Sequence, residues 1–246
     1  MRKRDTRSVV LWAHGFREGD VVADGKEAAG TGRRRLDSER TRQAILAAAR
    51  EEFAENGLSG GRVDAIAART NTVKRMIYYY FGSKEGLYLA VLEEAYADIR
   101  RVEQGLHLDL LPPVEAIRRL IEFTFDYEDA HPDFIRLVLI ENIHHAKHIA
   151  RSKTIQDVNS AVITTLTAVL DRGKSEGVFR RTIDAVDVHM LISAVCFFRV
   201  SNRHTFGALF SRDLSDPTLR ARHKQMLVDA VLHLLMRADE REVRAA

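Results

Sequence analysis

Between Val63 and Phe81 the chain carries two short runs of apolar period separated by one tight break at Asn71. In the first run Val63, Ile66, Ala67 and Thr70 recur at i, i+3, i+4 and i+7, the spacing of one helix face. In the second, at 100° per residue, Ile77 points inward with Val73 and Phe81 about 40° to either side. Ala67, small and central, lets the second helix cross close to the first. Two short helices, a turn of three to four residues and a small residue at the crossing describe a helix-turn-helix.

The outward face of the second helix is unusual. Arg75 and Tyr79 fall about 160° and 200° from Ile77, Met76 and Tyr78 flank them, and Lys74 and Tyr80 lie near the edges. Exposed aromatics in such a set are poorly explained on a free surface. A major groove suits them better, because Arg can contact guanine bidentately and apolar groups can meet the thymine methyl. Tyr hydroxyls and Lys reach phosphates. The rival reading is a tyrosine-rich protein contact.

The flanking sequence is helical in pattern. Ile45, Ala49 and Phe53 repeat at i, i+4 and i+8, Asp37 or Ser38 can cap the start, and Gly57 marks a left-handed stop. After "GSKEG", where Ser83 can cap, a long helix is expected over residues 84–104. Further helices are expected at about 113–129, 132–149, 152–172, 184–205 and 217–237, with Pro112/Pro113, Pro132 and Pro217 at their starts and Asp216 as a cap. Strand alternation and internal repeats are not evident, so the fold class is all-α. The expected organisation is a disordered basic extension over residues 1–36, a helix-turn-helix domain over 37–83 and a helical domain over 84–246 whose first helix, 84–104, is a connector.

Charge points the same way. Residues 1–90 carry 17 Lys/Arg against 12 Asp/Glu, whereas residues 91–246 carry 21 against 23. A basic end on a slightly acidic body suits a polyanionic partner. One cysteine, Cys196, excludes an internal disulfide and a Cys-rich zinc site and fits a reducing, cytoplasmic setting. No apolar run reaches about 18 residues, so no membrane partner is expected. The basic N-terminal start lacks a small-residue cleavage site and does not read as a signal peptide.

The segment "RQAILAAAREEFAENGLSGGRVDAIAARTNTVKRMIYYYFGSKEGLYLAVL" resembles the DNA-binding domain of the TetR family of transcriptional repressors over about residues 39–92. Its most specific element is "YYYFGSKEGLY". The resemblance implies an N-terminal three-helix helix-turn-helix domain and a C-terminal helical ligand-binding and dimerisation domain. It further implies a homodimer on double-stranded, pseudo-palindromic operator DNA, released by an unidentified small-molecule effector. Carried over by position, Lys74, Arg75, Met76, Tyr78, Tyr79 and Tyr80 fall at DNA-contacting places, and Lys84 falls where the family grips a phosphate. Arg62 and Arg42 are further DNA-binding candidates, with Arg33, Arg34 and Arg35 as additional phosphate or minor-groove contacts. The turn departs from the family pattern of Gly, buried Val and a Ser/Thr/Asn cap, reading Asn71, Thr72, Val73 instead. Asn tolerates the left-handed conformation. The exchange predicts that the Thr72 hydroxyl caps the recognition helix through the N–H of Lys74 or Arg75, and that Val73 turns inward.

In the remaining half, the helices from Lys153 to Leu170 and from Val186 to Phe210 are expected to face both the chain's own core and a symmetry mate. Candidate effector-binding residues are Phe123, Tyr127, Phe134, Leu137, Asn142 and His145 from the middle helices, with Phe125 beside them. Cys196, Phe197, Arg199, Asn202 and Arg203 complete the set. Aromatic walls with few polar anchors suit a small, partly aromatic or acidic ligand. Arg199 or Arg203 hints at a ligand carboxylate, and the plainer reading pairs either with Glu141 or Asp126. His144 and His148 at i, i+4 match metal-ligand spacing only in part, since two ligands without a carboxylate do not make an HExxH site. Cys196 reads as a buried small hydrophobe. No cofactor, metal or enzymatic activity is expected. The alternatives are an activator of the same fold and, remotely, a metal-dependent enzyme built on His144 and His148.

Overall fold

The computed structural model describes residues 24–180 and 182–236, with side chains from Leu36 onward. The expectation for residues 1–23 lies outside them. Among the described residues there are ten α-helices and no strand. They are α1 Asp24–Gly60, α2 Val63–Arg69, α3 Lys74–Phe81, α4 Lys84–Gln104, α5 Pro113–Ala130, α6 Pro132–Ile143, α7 Lys153–Ser175, α8 Ala185–Ser201, α9 Arg203–Phe210 and α10 Pro217–Met236. The chain divides into two compact units between Thr41 and Arg42. In the first, the Thr41 hydroxyl donates to the Asp37 carbonyl at 2.9 Å. Every contact described below lies within the second.

Local chemistry accounts for most boundaries. Gly57, at φ +67°, breaks the course of α1 at the expected stop, and Asn71 takes the left-handed conformation at φ +51° between α2 and α3. The Ser83 hydroxyl accepts from Gly86 N–H at 3.0 Å and starts α4, and Asp216 accepts from Leu219 N–H at 2.8 Å to start α10. Pro113, Pro132 and Pro217 each open a helix, where a missing N–H costs nothing.

Three boundaries depart from expectation. The α1 helix is already formed at Asp24, well before Asp37, so neither Asp37 nor Ser38 is its cap; Lys26, Glu27, Ala28, Ala29 and Arg33–Arg35 are good helix formers and outweigh the glycines among them. The helix expected to 149 ends at Ile143, because His145 and Ala146 both take φ +56°. The helix expected to 205 breaks at Asn202 and bends by 72° into α9. Among the described residues no single helix is long and apolar enough to cross a membrane.

The core consists of two apolar clusters. One runs unbroken from Ile45, Phe53, Ile66 and Ile77 through Leu87, Tyr88 and Val91 of α4 to Phe134, Leu137 and Ile155. The other packs Ile117, Leu120 and Phe125 of α5 against Leu166, Ile192, Cys196, Leu227 and Val231. Helices α2 and α3 thus share a core with the first half of the helical bundle, which lets packing changes in one reach the other.

Candidate nucleic-acid interface and effector region

Helix α3 is anchored by Ile77, with Tyr80 and Phe81 partly buried against the same core. Ile77 is fully buried, while Lys74, Arg75, Tyr78 and Tyr79 are exposed, Tyr79 to 77%. Met76 and Tyr80 are half-buried, and the Tyr80 ring meets Tyr79 edge-on at 5.4 Å. The helix therefore presents a basic and aromatic strip on the side opposite its anchor. Lys84, at the start of α4, donates to the Ser59 carbonyl at 3.2 Å and ties α4 to the last turn of α1. Arg62 is exposed and paired with Asp64 at 2.9 Å. The Arg42 guanidinium lies over the Phe81 ring at 5.5 Å. The side chains of Arg33, Arg34 and Arg35 lie outside those described.

The turn before α3 corrects the reading of Thr72 and Val73. Val73, not Thr72, occupies the cap position, with extended φ −111° and ψ 149°, and no side chain caps the helix. Val73 is 61% exposed, whereas Thr72 is half-buried. Thr72 N–H instead returns to the Ala67 carbonyl at 3.0 Å and closes the turn after α2. Thr72 thus stands where a buried Val was expected and Val73 where a cap was expected, with their order unexchanged.

Glu52 organises this unit and was not singled out from the sequence. It is 3% exposed, and its carboxylate accepts from Arg62 N–H at 3.0 Å, Asn56 at 3.2 Å and Arg69 Nη2 at 2.9 Å. A glutamate one residue before Phe53, on the edge of the apolar stripe of α1, was the available signal.

A chain of contacts leads from α1 into the bundle. Phe53 meets Tyr88 edge-on at 5.3 Å, and Tyr88 meets His148 at 5.1 Å. His148 Nδ1 lies 2.8 Å from Glu141 Oε1, and Glu141 Oε2 accepts from the N–H groups of His148 and Ile149 at 3.1 Å. Burial pushes the Glu141 carboxyl up, but these hydrogen bonds outweigh it and hold it below its ordinary value. His144 is exposed at the end of α6, while His148 is buried, so the two imidazoles do not share a helix face. Among the described residues no group of three metal-ligating side chains forms. Arg50 of α1 pairs with Asp98 of α4 at 3.4 Å and with Asp133 of α6.

The candidate effector residues separate into groups. Phe123, Tyr127, Phe134, Leu137 and Phe197 pack in or against the first cluster, and Phe125 and Cys196 belong to the second. Asn142 and His145 are exposed beyond the bundle interior, Asn142 donating to the Val138 carbonyl at 3.0 Å. Arg199 is buried against the Leu214 carbonyl at 2.8 Å, with His223 and the Phe125 ring beside it. Arg203 pairs with Asp129 at 2.8 Å, and Asn202 donates to Ser201. The arginine partner is thus Asp129 and neither Glu141 nor Asp126; Asp126 serves Arg220 and Lys224. Burial pushes the Cys196 thiol up, which leaves it inert. Val162, Leu166 and Val169 of α7 are buried, whereas α8 and α10 expose Val186, Met190, Phe198 and Met226.

Residues 45–91 match the family of bacterial regulatory proteins described as tetR, and residues 113–231 match the tetracyclin repressor-like C-terminal domain. The chain belongs to the TetR family. It is 36% identical to the HTH-type transcriptional repressor NicS of Pseudomonas putida over 84% of this chain and 98% of that one. It is 32% identical to the HTH-type transcriptional repressor SCO4008 of Streptomyces coelicolor, over 67% and 80%. The solved structure of the transcriptional regulator SCO4942 of Streptomyces coelicolor overlays with a TM-score of 0.60 at 29% identity, covering 79% of this chain and 97% of that one. As a TetR-family member the chain is a transcriptional regulator with a helix-turn-helix fold and not an enzyme.

Proposed function

We propose that this TetR-family protein is a repressor that binds a pseudo-palindromic operator as a homodimer and releases it on binding a small-molecule effector. The observation that carries the reading is the strip of Arg75, Tyr78 and Tyr79 facing away from the Ile77 anchor of α3. In a major groove Arg75 would read guanine, Met76 and the tyrosine rings would meet apolar base edges, and Lys74, Tyr80 and Lys84 would grip phosphates. Arg42 and Arg62 would add phosphate contacts. Two relatives named as repressors support repression over activation. A DNA partner implies a cytoplasmic protein.

Dimerisation is supported by the exposed apolar side chains of α8 and α10. Between these helices and α9 lies an open apolar groove of about 490 Å³, lined by Leu191, Val195, Phe198, Phe206 and Met226 among others. Uncovered, such a surface is costly; a second copy laying the same two helices across it would close it symmetrically. The bundle pair is then α8 and α10, and α7 stays in the chain's own core. The effector region is proposed between α4, α5, α6, α7 and α8, where Phe123, Tyr127, Phe134, Leu137, Cys196 and Phe197 supply walls.

A gel shift against the DNA upstream of its own gene, at two salt concentrations, tests the reading. Specific binding that weakens steeply with salt is expected, because phosphate contacts release counterions. A folded dimer that fails to shift this DNA at low salt would overturn it.

A further inference from the structure

The middle of the helical bundle holds a carboxyl group with nothing to bind. Glu128 of α5 is 6% exposed, and its Oε2 is buried without a hydrogen-bond partner among the described residues. The cation that acts on it, Arg100, is already engaged. Arg100 of α4, itself 8% exposed, donates through Nη1 to Glu103 and through Nε and Nη2 to Asn159 Oδ1 of α7 at 3.2 and 3.0 Å. Glu128 lies in the field of Arg100 and in turn acts on Tyr96 of α4 and Cys196 of α8, while His189 of α8 also feels Arg100. These interactions place Glu128 close to residues of both α4 and α8.

Burial outweighs the attraction of Arg100 and pushes the Glu128 carboxyl up to about 8, so near neutral pH it is held mostly as the acid. A buried acid with an unused oxygen is poorly explained as a structural element, since an apolar residue of similar size would serve packing better. It is well explained as a group awaiting a donor. The arginines that suggested an acidic ligand point the other way, because Arg199 and Arg203 are taken up by Leu214, His223 and Asp129.

We propose that Glu128 is the polar anchor of the effector site and that the effector is a small basic nitrogen compound, an amine or amidine on an apolar body. This rests on the reading of the protein as effector-responsive and adds the effector's chemical class. The ligand N–H donates to Glu128, and the body lies against Cys196 and the rings of the two apolar clusters. When the ligand enters as an ammonium ion, the Glu128 O–H bond breaks, its proton leaves to solvent, and carboxylate and ammonium remain paired. Binding near neutral pH thus releases close to one proton per site.

Phenethylamine and 3-phenylpropionate, matched in body and opposite in charge, serve as probes. Both are titrated calorimetrically at pH 7, in two buffers of different ionisation enthalpy, into the full chain and into the variants Glu128→Gln and Glu128→Met. The expected result is at least tenfold tighter binding of the amine with proton release, and at least a tenfold loss in both variants. Tighter or equal binding of the carboxylate, unchanged amine binding in folded Glu128→Gln, or no amine binding would overturn the proposal. Ligand-free operator binding is measured on the same samples. Its failure in the unaltered chain would count against the regulator reading, while the calorimetric arm still decides the ligand class.

Discussion

Arg69 Nη2 donates to Glu52 Oε2 at 2.9 Å, while Glu52 Oε1 accepts from the backbone N–H of Arg62 at 3.0 Å. One buried carboxylate thus fixes both ends of α2 against α1. Glu52→Ala removes the charged acceptor of the Arg62 N–H and of Arg69 and is expected to destabilise the fold by about 1–3 kcal/mol. Operator binding should weaken too, although Glu52 lies beneath the reading face. Arg69→Ala should cost less, because Arg69 is 43% exposed and its half of the pair is screened by water. Urea unfolding of the two variants checks this, and equal losses would contradict it.

Val73 stands at an uncapped helix start with 61% of its surface exposed. Val73→Ser supplies an oxygen to the orphan N–H groups of α3 at a backbone conformation that already suits a cap. A gain of about 0.5–2 kcal/mol is expected, on the order measured for caps elsewhere. Thermal unfolding reads it out, and a loss of stability would show that Val73 makes a contact worth more than a cap.

The helix-turn-helix was legible because its signals are local. Asn71, Gly57 and Ser83 act on the backbone next to them, and Ile77 follows from helical period alone. The error at Thr72 and Val73 came from the same local logic, which preferred the better capping residue. In the structure the Thr72 N–H returns to Ala67 across the turn and Val73 takes the cap position. In the bundle, the partners of Arg199 and Arg203 lie on other helices, so Asp129 could not be read from spacing. Glu128 shows the limit most clearly. Its helical period marks it as inward-facing, but only the engagement of Arg100 by Glu103 and Asn159 leaves it unpaired.

Arg75 and Lys84 are expected to fail in different ways. Arg75→Ala should lose discrimination between the operator and a variant site by about 1–3 kcal/mol, as for loss of a bidentate base contact. Lys84→Ala should weaken all sequences alike and reduce the salt slope by about one. Because Lys84 also holds the Ser59 carbonyl, its variant is first checked for an unchanged melting temperature. Equal loss of discrimination in both variants would refute the division of labour.

Met190 is 63% exposed on α8 and Phe198 46% exposed. If these residues form the symmetric contact, Met190→Glu places two like charges near the twofold axis and should shift the protein to a monomer in light scattering. Operator affinity should fall with it, since each half-site then binds alone. A dimer of unchanged stability would move the interface away from the α8 and α10 face.

Glu128 and Glu141 make opposite predictions about pH. The Glu128 carboxyl is raised to about 8, so between about 4.5 and 8 the folded chain holds a proton that the unfolded chain has lost. Stability contributed by this group therefore falls as pH rises through that window, at about 1.4 kcal/mol per unit at most. Glu128→Gln removes the proton site and should match the unaltered chain near pH 4 while being progressively more stable toward pH 8. The Glu141 carboxyl is held low by the N–H groups of Ile149 and His148. Its contribution is present above about pH 4.5 and lost as pH falls through the lowered value. Glu141→Gln should therefore be the less stable chain at neutral pH, with the difference shrinking in acid. Urea midpoints of the three proteins from pH 4 to pH 8 separate the two effects, and parallel curves for Glu128→Gln and the unaltered chain would mean that Glu128 is charged and paired in the folded protein.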